Sequence, residues 1–288
     1  MTTISDFFES TYLPRKIVKY SPSTVRLYRV AIRHFDRFVG RPAVLEDLTD
    51  ATVSRFLAAR LAKVSAFTAN RDVERLLAMW RWAASKRIVA EFPDVDYAPE
   101  PTRIPRAWSK DELAGLFKAA GSLPGYVAGV TARAWWTCLL SLLWDTGERI
   151  SAILGLEWTD VDLDRRWIVC RAENRKGRRA DRSYRIDAGT ADKLAALPRH
   201  SNLVLEWDRD RSRLWHYYGK ILLLAGLPND RRSKFHRIRR STASHAKAAG
   251  ADPQRLLGHA DARTTAAYLD PMITGEQSAI DWLFRPGA

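Results

Sequence analysis

The spacing of apolar residues divides the first 92 residues of the chain into helices. The pair Ser21-Pro22 predicts a helix start, because serine caps an N-terminus and proline fits the first turn, and Gly40 predicts the end of that helix. Between these residues the apolar positions recur at helical spacing and form one face. Further helices are predicted over residues 4–12, 49–63 and 65–87. The pattern predicts an all-helical N-terminal bundle over residues 1–92.

A proline-rich segment follows this bundle. It carries Pro93, Pro99, Pro101 and Pro105, a density that neither a helix nor a central strand tolerates. We therefore expect a domain linker over residues 93–106 and a second domain over residues 107–288.

The second domain is predicted to be mainly helical with a small antiparallel β-sheet. Ser109 and Glu112 form a capping box, a helical stretch over 126–146 ends near Gly147, and another helix begins at Glu148. Residues 162–187 change character and predict two short strands joined through the polar run NRKGRRAD. The remaining helices are predicted near 190–197, 213–225, 235–249, 253–257, 263–269 and 276–284.

The charge of the chain points to a polyanionic partner. Lys and Arg total 47 against 33 Asp and Glu, a formal net charge of +14. Nucleic acid is favoured over a membrane surface, because the longest apolar run, 137–144, is too short to span a bilayer. The start, MTTISDFFES, lacks the features of a secretory signal, so a cytoplasmic protein is expected. Cys138 and Cys170 lie outside any CxxC pair and are interpreted as reduced and structural.

Several enzyme classes lose support because their motifs are absent. The sequence contains no GxxxxGK[ST] loop, no HExxH, no paired CxxC and no GxSxG. It does contain two basic clusters: residues 165–185 hold nine basic and two acidic residues, and residues 231–240 hold six Lys or Arg and no acidic residue. Such side chains grip phosphates and stabilise charge on them, so both DNA and RNA fit the clusters.

Taken one at a time, the candidate residues of this region can be interpreted as ordinary surface or core residues without a catalytic role. His236 and Arg239 are three positions apart on one predicted helix, a spacing more often found between surface neighbours than in a catalytic pair. Tyr268 follows His259 by nine residues and by itself reads as an ordinary core or surface aromatic.

Taken in order, these segments resemble a known family. TGERISAILGLEW, the lone Lys176 in the hairpin, HRIR, LLGH and the tyrosine nine residues later resemble the catalytic boxes of the tyrosine site-specific recombinases, which include phage integrases and Xer-type resolvases. The segment SAFTANRDVERLLAMWRWAASKRIV is similar to the last helix of the family's core-binding domain. The resemblance implies a helical SAM-like core-binding domain, an α+β catalytic domain and a C-terminal helix over 274–285 that packs on a neighbouring protomer.

The resemblance also implies a catalytic set and a mechanism. The tyrosine attacks a scissile phosphate to form a covalent 3'-phosphotyrosyl intermediate, and basic side chains stabilise the charge, so no metal and no cofactor are expected. Strand exchange then proceeds through a Holliday junction. The implied catalytic residues are Arg149, Lys176, His236, Arg239, His259 and Tyr268.

The basic clusters and the resemblance together predict which residues contact DNA. Arginines form a stripe on the helix that ends at Gly40. This stripe is interpreted either as a solvent-exposed helix face or as a DNA contact. The implied partners are double-stranded DNA with paired half-sites, further copies of the chain forming a tetramer on that DNA, and accessory directionality proteins. The predicted DNA-binding residues are Arg26, Arg29, Arg33, Arg37, Asn70, Arg71, Arg175, Arg178, Arg179, Arg237 and Arg240.

One position departs from the family pattern and keeps alternatives open. The family usually carries Glu or Asp three residues after the first catalytic arginine, and that place holds Ala152 here. Its replacement leaves a catalytically weak or inactive DNA-binding accessory protein as an alternative. A type IB topoisomerase is a second alternative, which the compact layout and the LLGH box disfavour, and an RNA-binding protein is a third. His245 falls where a packing role is expected.

Overall fold

The computed structural model describes residues 2–16, 19–175 and 180–275, and it divides the chain into two compact units between Thr102 and Arg103. This division falls inside the segment predicted as a linker. Residues 91–108 contain no helix or strand, in keeping with their prolines. Residues 93–102 nevertheless belong to the first unit, where Val95 is buried.

The regular secondary structure among the described residues of the first unit is helical, apart from an isolated β-bridge between Thr3 and Val44. Ser21 caps its longest helix but one by accepting a hydrogen bond from the backbone N–H of Thr24, and Gly40 ends that helix in the left-handed conformation, as predicted. The predicted leading helix is interrupted by a π-helical turn over Phe8–Tyr12 and continues to Lys16. The helices are α1 (Ile4–Phe7), α2 (Leu13–Lys16), α3 (Pro22–Val39), α4 (Asp50–Leu61) and α5 (Ala66–Ser85).

The other elements of the second unit pack around an apolar central helix, α7. Its helices are α6 (Lys110–Gly121), α7 (Ala132–Thr146), α8 (Ile150–Leu154), α9 (Ala188–Ala195), α10 (Arg211–Leu224), α11 (Phe235–Ala248), α12 (Pro253–Leu257), α13 (Ala262–Ala266) and α14 (Pro271–Thr274). Its strands are β1 (Tyr126–Val127), β2 (Val130–Thr131), β3 (Val161–Asp162), β4 (Trp167–Cys170) and β5 (Arg182–Arg185). Trp135, Trp136 and Leu139 of α7 are buried in the core of this unit.

Two sequence predictions for this unit were wrong in detail. Residues 126–131, predicted as the start of a helix, form an antiparallel hairpin because Ala128 and Gly129 both adopt positive φ, so α7 begins only at Ala132. The predicted two-stranded sheet has three antiparallel strands in the order β3-β4-β5. The strand β3 has two residues, too few to produce an alternating pattern.

The two cysteines are free and buried, as predicted. Burial raises the pKa of the Cys138 thiol and of the Cys170 thiol to about 12 in each case, so both stay protonated. None of the helices within the described residues combines the length and apolar character needed to cross a membrane. The terminal helix predicted over 276–284 lies outside the described residues.

Candidate active site

Helix α11 carries two of the predicted catalytic residues. His236 is exposed near its N-terminus, whereas Arg239 points inward and is 1% exposed. The helix is anchored at its start by Phe235, whose ring stacks on Tyr218 with centroids 4.1 Å apart. The helix that carries Arg239 is therefore anchored in the core.

The Arg239 guanidinium is fixed by backbone carbonyls from two other elements. Its Nη1 donates to the carbonyl oxygen of Gly147 at 2.5 Å, and its Nη2 donates to that of Leu257 at 2.9 Å. Gly147 ends α7 in the left-handed conformation. Burial and the nearby charge of Arg149 lower the pKa of Arg239. The Nε of Arg239 is buried and has no hydrogen-bond partner among the described residues, the state expected of a donor that serves a bound oxygen.

His259 lies beside Arg239 just after α12. Its Nε2 faces Nη2 of Arg239 at 3.2 Å and its Nδ1 faces the Thr265 hydroxyl at 3.1 Å. Because a guanidinium only donates, Nε2 accepts and Nδ1 carries the proton. Burial, followed by the charges of Arg239 and Arg149, lowers the pKa of His259 to about 4. The imidazole is therefore neutral at neutral pH.

Tyr268 completes this cluster from the segment after α13. Its backbone N–H donates to the carbonyl oxygen of Thr265 at 2.8 Å. Its ring centroid lies 5.0 Å from that of His259 and 6.4 Å from that of His236, and Cζ of Arg239 lies 5.6 Å from it. Four predicted catalytic residues thus meet within one unit of a single chain.

The backbone that carries Tyr268 is tied to α11 and to the start of the unit. The Ser244 hydroxyl donates to the Tyr268 carbonyl at 3.4 Å and accepts from the Asp270 N–H at 2.9 Å. The Asp270 carboxylate is buried and accepts from the Ala107 N–H at 2.7 Å. These bonds hold the tyrosine segment against the site.

Arg149 occupies the N-cap of α8 and is half-buried. Its backbone N–H donates to Oε2 of Glu148, which lies 3.7 Å from Nη1 of Arg239, and its charge lowers the pKa of both Arg239 and His259. Its guanidinium has no hydrogen bond or ion pair with any residue of the described ranges. Arg149 therefore has donors available to a ligand. Lys176 lies outside the described residues, as do Arg178 and Arg179.

Sequence reasoning missed Glu148, a carboxylate at the centre of this site. Glu148 is 1% exposed and accepts hydrogen bonds from the Tyr184 hydroxyl at 2.6 Å and from Nε of Arg175 at 2.7 Å. Burial raises its pKa, but the hydrogen bond from Tyr184 and the charge of Arg175 outweigh burial and hold the pKa below its usual value. Its place beside the first arginine of the motif was the available signal, but only the tertiary structure shows that it is buried.

The arginines of α3 are placed on the surface. Arg26, Arg29, Arg33 and Arg37 are all exposed, and Arg29 forms a two-pronged ion pair with Glu9 at 2.7 and 3.0 Å. An exposed pair of this kind is weak, so a phosphate can compete for Arg29.

The residues predicted to contact DNA from α5 have partners within the first unit. Asn70 is buried, donates to the Ala98 carbonyl and to Glu100 at 2.8 Å each, and accepts from the Ala98 N–H at 3.0 Å. Arg71 pairs with Glu74 at 2.5 Å and is half-buried. Asn70 therefore fixes the segment after α5, and Arg71 keeps part of its guanidinium exposed.

Three arginines of the second unit that were predicted to contact DNA have partners within that unit. Arg237 lies 3.4 Å above the Trp108 ring and donates to the Ala107 carbonyl, and Arg175 is bound to Glu148. Arg240 donates to the Arg232 carbonyl at 2.6 Å. Arg175 is thus paired with a carboxylate and Arg237 is stacked on a tryptophan, and a DNA contact for either residue stays a prediction. His245 also packs as predicted, with its Nε2 2.9 Å from the Trp108 carbonyl oxygen.

We expect His259 to titrate far below an ordinary histidine. Its pKa of about 4 implies that its imidazole resonances in NMR shift only as the pH falls toward 4. Because the unfolded chain takes up a proton near pH 6.5, the contribution of this site to stability is present above that pH and is lost as the pH falls toward 4. His259→Gln assigns the resonance by removing it. A midpoint near 6.5 would contradict the buried, cation-flanked placement.

Known proteins are similar to this chain over the segment that carries the site and beyond it. The phage integrase family matches residues 109–273. The tyrosine recombinase XerC of Rhodospirillum centenum is 31% identical over 276 residues, covering 87% of this chain and 78% of that protein. The tyrosine recombinase XerD of Mycobacterium tuberculosis H37Rv is 28% identical over 274 residues, covering 85% of this chain and 86% of that protein.

A solved structure supports the fold independently. The lambda integrase dimer bound to a COC' core site aligns with a TM-score of 0.73 at 18% identity, covering 96% of this chain and 98% of that one. The chain therefore belongs to the phage integrase family. It is a tyrosine recombinase that carries out site-specific DNA recombination, and the topoisomerase and binding-only alternatives are not favoured.

Proposed function

We propose that Tyr268 is the nucleophile of this recombinase. Its Oη attacks the phosphorus of the scissile phosphate, the bond from phosphorus to the 5'-oxygen breaks, and a 3'-phosphotyrosyl bond forms. Bond energy is conserved in the adduct, so religation needs no nucleotide. The observation that carries the proposal is the placement of the Tyr268 ring beside His259, His236 and Arg239.

Arg149 and Arg239 form the phosphate clamp. Both have guanidinium donors without a partner in the described residues, and the Arg239 donor is buried, so a phosphate oxygen can satisfy them. Charge that develops on the non-bridging oxygens is stabilised by donors that are already in place. His259, held beside Arg239 and Thr265, is proposed to add a hydrogen bond through its Nε2–H tautomer, in which the Thr265 hydroxyl donates to Nδ1 and Nε2 no longer accepts from Arg239.

His236 and Lys176 move the protons. His236, whose ring centroid lies 6.4 Å from that of Tyr268, is proposed to accept the phenolic proton as the new bond forms. Lys176 donates a proton to the departing 5'-oxygen. The sequence motif supports this role for Lys176, and its position lies outside the described residues.

DNA binding is proposed for the exposed basic residues. Each lies at the surface or is only half-buried, except Arg178 and Arg179, which lie outside the described residues. Removing such a residue should lower DNA affinity by a similar factor for all DNA sequences, because contacts with phosphates do not distinguish between bases. The proposed contacts are Arg26, Arg29, Arg33, Arg37, Arg71, Arg178, Arg179 and Arg240.

The working assembly is proposed to be a tetramer on paired half-sites. Similar solved structures include a lambda integrase tetramer bound to a Holliday junction and XerH bound to difH substrate. The C-terminal segment 274–285, predicted from the sequence to be helical, is proposed to link neighbouring copies, because a segment exchanged head to tail closes into a ring. Accessory proteins that set direction are compatible with this scheme.

The test uses a DNA site selected from a randomised duplex pool by binding to the protein. A version of the selected site that is nicked close to the scissile phosphate releases a short 5'-hydroxyl fragment and traps the adduct. We expect a covalent complex of protein and DNA that survives denaturing electrophoresis. Tight binding without adduct on any nicked version would contradict the proposal.

We expect adduct formation to be unchanged in excess EDTA. The proposed clamp supplies the positive charge that a divalent cation supplies in other phosphoryl-transfer enzymes. The measurement is the rate of adduct formation with EDTA and with added Mg²⁺. A strict Mg²⁺ requirement for cleavage would contradict the arginine clamp.

A further inference from the structure

We propose that Glu148 is the positioning carboxylate of this active site, a role that rests on the proposed function of Arg149, Lys176 and Arg239. The carboxylate contacts three of the elements that carry these residues. Its Oε2 accepts from the Arg149 backbone N–H at 3.1 Å and lies 3.7 Å from Nη1 of Arg239. Its Oε1 accepts from Arg175, the residue before Lys176.

The contact with Arg239 neutralises a buried cation. Arg239 and Glu148 are each 1% exposed, so neither charge can be solvated by bulk water. Two backbone carbonyls bind the guanidinium but carry no full charge. The Glu148 carboxylate holds the guanidinium from one side and leaves its Nε unpaired within the described residues. Without Glu148 the guanidinium would swing toward another acceptor and misplace its free donor.

The contact with Arg175 reaches the described residues on either side of 176–179. While Nε of Arg175 binds Glu148, Nη1 of the same side chain donates to the Ala180 carbonyl at 2.7 Å. Arg175 and Ala180 are the described residues on either side of 176–179. Glu148 is therefore linked through Arg175 to Ala180, as well as to Arg239. Tyr184 of β5 completes the arrangement by donating to the same oxygen.

This placement bears on the departure at Ala152. Ala152 is 1% exposed and carries no charge. The resembled family usually has an acidic residue at this position, and this chain lacks it there. Glu148 lies four residues earlier, on the other side of Arg149, and supplies a carboxylate from there. Glu148 thus provides the arginines of the active site with an acidic partner.

The test compares Glu148→Gln and Glu148→Asp with the unaltered protein in single-turnover adduct formation on the nicked selected site, at saturating protein. We expect Glu148→Gln to lower the rate by about a hundredfold, the cost of a small misplacement of catalytic groups. Glu148→Asp keeps the charge on a shorter side chain and should fall between the two. DNA affinity, measured by gel shift, should change little, because Glu148 is buried.

The matched control is Asp72→Asn in the first unit. Asp72 is also a buried carboxylate, paired with Arg60 at 3.0 Å and His34 at 2.9 Å, and belongs to no proposed catalytic or DNA-binding set. It should lower the melting temperature but leave the cleavage rate of bound DNA unchanged. A positioning role therefore separates the two variants in rate, and a merely stabilising role does not.

The outcomes are decisive even if one variant is unstable. Equal rates for the folded Glu148 variants and the unaltered protein, or equal losses for Glu148→Gln and Asp72→Asn, would overturn the proposal. If Glu148→Gln does not fold, Glu148→Asp decides, since a rate equal to that of the unaltered protein would overturn it. The proposed function fails separately, if the unaltered protein forms no adduct or Tyr268→Phe still forms one.

Discussion

Tyr268→Phe should abolish the covalent complex with DNA while leaving DNA affinity nearly unchanged. The substitution removes only the phenolic oxygen, which is the proposed nucleophile, and keeps the ring that packs 5.0 Å from the ring of His259. Binding should persist, because the net charge of +14 and the exposed arginines are untouched. The measurement is adduct yield on the nicked selected site together with a gel shift on the intact site.

Tyr126→Phe provides the matched control for this experiment. Tyr126 is 66% exposed on the β1–β2 hairpin of the same unit. Removing its hydroxyl should leave adduct yield and affinity unchanged. Adduct formation by Tyr268→Phe at the rate of the unaltered protein would contradict the assignment of the nucleophile.

Arg239→Lys should lower the rate of adduct formation by roughly 100- to 1000-fold, the cost typical of losing one preorganised donor to a developing charge. Lysine keeps the charge but has a single ammonium group. It cannot bind the carbonyls of Gly147 and Leu257 and also present a donor in the place of the buried Nε. The measurement is the single-turnover rate at saturating protein.

The control variant for Arg239→Lys is Arg213→Lys on α10. Arg213 is exposed, so the same chemical change should have little effect on either the rate or the melting temperature. Arg239→Lys should also melt at a lower temperature, because it leaves buried carbonyls and Glu148 incompletely paired. A cleavage rate for Arg239→Lys equal to that of Arg213→Lys would show that the guanidinium does not serve the phosphate.

Much of the fold follows from local sequence signals. The caps at Ser21 and Ser109 and the helix ends at Gly40 and Gly147 lie where the sequence predicts them, because these residues satisfy or reverse the chain locally. The prediction failed where two-residue elements form. The hairpin at 126–131 depends on a positive φ at Ala128, and an alanine in the sequence does not predict a positive φ.

The candidate site divides in the same way. The ordered motifs singled out Arg239, His259 and Tyr268, which the structure places together. The same reasoning missed Glu148 and Thr265, whose roles depend on which elements pack around them. It did not foresee the contact of Arg237 with Trp108, since a basic cluster on a helix does not reveal which of its side chains stacks on a tryptophan.

The residue that becomes linked to DNA tests the account most directly. The trapped complex is digested with a protease and a nuclease, and the linked peptide is sequenced by mass spectrometry. The account predicts attachment at Tyr268, through the 3'-phosphate of the cleaved strand, with a 5'-hydroxyl on the released fragment. Attachment to any other side chain, or linkage through a 5'-phosphate, would contradict it.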